Sequence, residues 1–69
     1  MEEATAEAFT GAIQRMRAEY LEMPGLTLTV AQAARLWTLD TTLCQSALAA
    51  LVEAGFLVRM RHSAFARAE

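Results

Sequence analysis

The sequence predicts a mainly α fold with a small β-hairpin, three helices arranged in the order α-β-α-α-β-β as one domain over residues 1–69. Three observations carry that reading. Residues 4–22 hold a long apolar stripe at helical spacing. Residues 29–54 hold two shorter stripes separated by Thr38-Leu39-Asp40. Residues 56–67 alternate between apolar and polar side chains, the period of a strand.

The first helix follows from Phe9, Ala12, Ile13, Met16, Tyr20 and Met23, which recur three and four residues apart. Gly11, Arg15, Ala18 and Glu22 fall on the far side. Glu2 and Glu3 suit the positive end of a helix dipole. Pro24-Gly25 stops the helix. Leu26-Thr27-Leu28 alternates and reads as a short strand that pairs with the later hairpin. Thr29 and Gln32 have the spacing of a capping box, which opens a second helix with Val30, Ala33, Ala34 and Trp37 on one face.

Leu39 is placed to plug the gap between helices, and Asp40 to cap the third helix. That helix runs to about Ala54, with Cys44, Ala47, Leu48 and Leu51 on its inner face, and Gly55 closes it. Leu48 and Leu51 are expected to form the centre of the core with Trp37, Phe9 and Ile13. The alternation predicts a hairpin turning at His62-Ser63, with Met60 opposite Phe65 on the core side and Arg59 and Arg61 on the outer face.

Composition narrows the functional classes. The chain is 55% hydrophobic, enough for a core and too much for disorder. It has no run of membrane-spanning length. The acidic N-terminus is unlike a signal peptide, and one cysteine cannot form an internal disulfide; a cytoplasmic location is expected. The only histidine sits in the hairpin turn, so no nucleophile-base-acid set or metal cluster can be assembled around it. No glycine-rich phosphate loop is present. The chain is expected to be no enzyme and to need no cofactor. Cys44 reads as a small core residue, His62 as a solvated turn residue and Trp37 as a core aromatic.

Ala33, Leu36, Leu39, Leu48, Leu51 and the run Gly55-Phe56-Leu57 resemble the fold-determining positions of winged helix-turn-helix transcription regulators of the broad bacterial kind that includes the MarR-like and IclR-like families. The resemblance covers residues 26–67. It implies a helix-turn-helix over 29–54, a wing over 56–67, and a dimeric DNA-binding regulator whose third helix enters the major groove. Thr41, Thr42, Gln45 and Ser46 would then face bases or phosphates, and Arg35, Arg59, Arg61 and Arg67 would suit phosphates. The chain departs from the pattern in three ways. Ala49 and Ala50 stand where basic residues are common, Glu53 would repel phosphate, and Thr38 replaces a usual glycine. The net charge of −2 is also unlike a basic DNA-binding domain. The same fold serves as a protein-interaction module, which is the alternative function. Met16, Tyr20 and Met23 on a long first helix suggest a homodimer joined through that helix or the edges of its stripe.

Overall fold

The computed structural model describes residues 2–68, with side-chain surroundings from residue 7 onward. Three helices and a three-stranded antiparallel sheet follow in chain order: α1 (Glu2–Glu22), β1 (Thr27–Thr29), α2 (Val30–Leu36), α3 (Thr41–Glu53), β2 (Leu57–Arg59) and β3 (Ala64–Arg67). The sheet order is β1-β3-β2, so the last strand lies between the other two. The layout is the expected α-β-α-α-β-β and is compatible with a winged helix.

α1 begins two residues earlier than the stripe suggested and ends where Pro24-Gly25 required. Glu2 and Glu3, expected to favour its start, lie outside the described side chains. Ala12, Met16 and Tyr20 are buried, and Phe9 and Ile13 pack half-buried against the same cluster. Met23 departs from the stripe: it lies past the helix end and is 44% exposed. The centre of the core is therefore built with Met16 and Tyr20 rather than with Phe9 and Ile13. Both are fully enclosed by their own domain, so the central residues of the stripe are not available to join a second copy.

Tyr20 ties α1 to the sheet. Its hydroxyl donates a 2.8 Å hydrogen bond to the Phe65 carbonyl on β3. Its ring centroid lies 6.4 Å from that of Trp37 with the planes tilted, a separation within the range of interacting aromatic pairs. Burial, with a smaller contribution from nearby Cys44, pushes the phenol up from 10.0 to about 12.

The local chemistry of α2 and α3 is as expected. The Thr29 backbone N–H donates to Gln32 Oε1, and the Gln32 N–H donates to Thr29 Oγ1, which completes the capping box. Ala33, Ala34 and Trp37 are buried, and the small alanines allow α3 to cross closely. Thr38 takes φ +54°, a left-handed conformation that glycine adopts without strain and a β-branched residue does not. Asp40 Oδ2 accepts from the backbone N–H groups of Thr42 and Leu43. Gly55 closes α3 at φ +84°.

β1 is displaced by one residue from the expected strand, and pairs with β3 as anticipated, Leu28 opposite Phe65. The hairpin register differs. Arg59, not Met60, lies opposite Phe65. His62 and Ser63 both adopt positive φ, and the Ala64 N–H bonds to the Arg61 carbonyl. The Met60 N–H also bonds to the Ala64 carbonyl. Two residues, Met60 and Arg61, thus oppose one, and the ladder slips by a residue at the tip. A slip of one exchanges the faces of the strand. Met60 is accordingly 48% exposed, while Arg59 shares the face of buried Leu57.

Candidate nucleic-acid interface

α3 is oriented by its inner face. Cys44, Ala47, Leu48 and Leu51 are buried, which turns Thr41, Thr42, Gln45, Ser46 and Glu53 outward. All five are exposed, and Ala49 is half-buried. None of the four neutral side chains makes a hydrogen bond among the described residues, so their donors and acceptors are open to a ligand. The exposed face of α3 holds no cation. Its N-terminal amides are already occupied by the Asp40 carboxylate, which offsets the positive end of the helix and disfavours a phosphate there.

Positive charge is supplied by other elements. Arg35 is exposed in the last turn of α2. Arg61 is exposed in the hairpin turn. Arg59 is exposed as well, but its guanidinium lies 5.4 Å from the Phe65 ring centroid, held against the inner face of the sheet at its free edge. The expectation that Arg59 and Arg61 share the outer face is corrected by the one-residue slip. Among the described residues Arg35, Arg59 and Arg61 form no ion pair.

Arg67 occupies a different setting from these three. It is half-buried, and its guanidinium stands 5.6 Å from the Phe56 ring. Arg17 of α1 lies 4.9 Å from the same ring. The grouping of Arg17, Phe56 and Arg67 was not legible in the sequence, because Arg17 is remote from the other two and only the packing of α1 near the base of the hairpin unites them. The outer face of the sheet carries Val58 and Met60, both exposed, beside Ala66 and Ala64 on β3.

Burial pushes the Cys44 thiol up, which disfavours the reactive thiolate. Its sulfur points toward the Val30 carbonyl at 3.8 Å. His62 is exposed at the turn. No group of three or more His, Cys, Asp or Glu side chains converges among the described residues. No described helix is long and apolar enough to cross a membrane.

Comparison with protein-family models, with curated proteins and with solved structures returns no match.

Proposed function

We propose that this chain is a small winged-helix DNA-binding protein, a non-catalytic transcriptional regulator in which α3 meets the major groove and the hairpin meets the backbone. One observation carries the reading: Thr41, Thr42, Gln45 and Ser46 form a neutral hydrogen-bonding surface on the first half of α3, exposed and without intramolecular partners among the described residues. Such side chains bond to base edges and phosphates. Exposed Arg35, Arg59 and Arg61 supply the charge that α3 lacks. Affinity then comes mainly from the arginines, and α3 adds modest discrimination, since neutral bonds are weaker than charge-assisted ones.

The test is fluorescence anisotropy with random duplex DNA across a salt series. Binding should weaken linearly in log-log form, by about 0.9 in slope for each phosphate neutralised. The Arg59→Ala/Arg61→Ala variant should weaken binding to all sequences alike and flatten the slope by about one unit per lost contact. Gln45→Ala should alter sequence preference more than overall affinity. A wild-type protein without salt-dependent binding in low-salt buffer overturns the reading.

A second reading is a winged-helix module that binds a protein. It is favoured by the uncharged outer sheet face, where Val58 and Met60 are 40% and 48% exposed, and by the missing cations on α3. Loss of DNA binding in the first experiment would make these the first surfaces to probe.

A further inference from the structure

The outward face of α1 contains a feature that its own domain does not explain. Gly11 lies in the interior of a helix of 21 residues, on the side opposite buried Ala12, Met16 and Tyr20. Glycine there weakens an exposed helix relative to alanine. Gly11 has no positive φ, and a Cβ built on it would meet nothing within 4 Å. Neither backbone conformation nor crowding within the domain calls for it. Glu7, Thr10, Gly11 and Gln14 line a shallow, open groove on this face, where Gly11 presents bare backbone.

The charges beside the groove have a direction. Glu7 and Arg15 are both exposed, four residues to either side of Gly11, and form no ion pair among the described residues. Eight residues along a helix is about 12 Å, too far for the two to pair within one chain. A second helix laid antiparallel with Gly11 against Gly11 sets residue i opposite residue 22 − i. Glu7 then faces Arg15 of the second copy and, by the two-fold symmetry, Arg15 faces the second copy's Glu7. Ala8 faces Gln14, and the two glycines let the backbones approach. A parallel pairing would set Glu7 against Glu7 and Arg15 against Arg15. Antiparallel helix dipoles also attract.

From these relations we infer that the outward face of α1 binds a second copy of this chain, antiparallel, with Gly11 at the crossing and two Glu7–Arg15 ion pairs flanking it. This is the face opposite the apolar stripe, and it leaves α3 and the hairpin outside the contact residues. The interface is isologous, as a two-fold dimer requires.

Sedimentation equilibrium of the full chain, from about 1 µM to about 1 mM, spans the affinities such a contact supports. The wild type should show a monomer–dimer equilibrium that weakens with added salt. Gly11→Leu fills open space in the monomer and should keep or raise helicity and Tm, yet remain monomeric throughout. Glu7→Arg should also be monomeric, and Glu7→Arg/Arg15→Glu should recover the dimer. A wild type monomeric at every concentration overturns the inference. So does a folded Gly11→Leu or Glu7→Arg variant that dimerises as the wild type does, or a charge exchange that fails to restore association; dimerisation that survives these changes lies on another surface.

Discussion

Replacing Tyr20 by phenylalanine removes one hydroxyl from the centre of the molecule and nothing else. The ring keeps its volume against Trp37, while the 2.8 Å bond to the Phe65 carbonyl disappears. A buried hydrogen bond contributes about 1 to 2 kcal/mol net once the desolvated carbonyl left behind is included. For a domain of this size each kcal/mol moves Tm by about 4 to 8 °C, so the variant should melt roughly 4 to 16 °C lower. The same residue predicts an alkaline transition. Its folded pKa is raised to about 12 from 10.0, so the folded state holds the proton more tightly than the unfolded chain does. That contribution is complete below pH 10 and is lost as pH rises from 10 to 12. Two pKa units correspond to roughly 2.7 kcal/mol at most. Thermal melts of the wild type from neutral pH to pH 12 should therefore steepen above pH 10, and the Tyr20→Phe variant should lose that part of the slope. The raised Cys44 thiol leaves a residual slope that begins at lower pH. A variant that melts like the wild type at neutral pH and declines identically in alkali would refute the assignment of Tyr20 as the pin between α1 and the sheet.

Leu48→Ala, at a fully enclosed site on α3, should cost roughly 2 to 5 kcal/mol and populate the unfolded state, read as lost helicity and a depressed melt. Thr38→Gly should raise Tm, since glycine relieves the φ of +54° at the end of α2; a fall in Tm would show that the threonine side chain supports the turn. Cys44 should react with a thiol reagent only as fast as the domain opens, and mild denaturant should accelerate the reaction steeply. A fast native-state reaction would place the sulfur at the surface.

Most of the fold was legible in the sequence because its signals are local. Thr29 and Gln32 form a capping box from their spacing alone, Asp40 caps α3, and Gly55 closes it. The inner face of α3 follows from helical periodicity, and with it the outward placement of Thr41, Thr42, Gln45 and Ser46. The arginines were harder to place. Nothing near Arg17 in the chain announces Phe56, and nothing near Arg59 announces its seat on Phe65. Those contacts are set by how α1 and the hairpin pack.

The sequence by itself determined which segments become helix or strand, which caps open α2 and α3, where α1 and α3 stop, and which stripe of each helix is apolar. These properties depend on hydrogen bonds and periodicities within a few residues. Tertiary structure alone decided which apolar residues are central. Met16 and Tyr20 displace Phe9 and Ile13 from that role because α3 and the sheet close over the second half of α1. It also decided the hairpin register. Alternation constrains a strand only to a period of two, and either face can turn inward until a turn fixes the pairing. Here the paired left-handed residues His62 and Ser63 place Met60 and Arg61 opposite Ala64, and that extra residue sends Met60 outward and brings Arg59 onto Phe65.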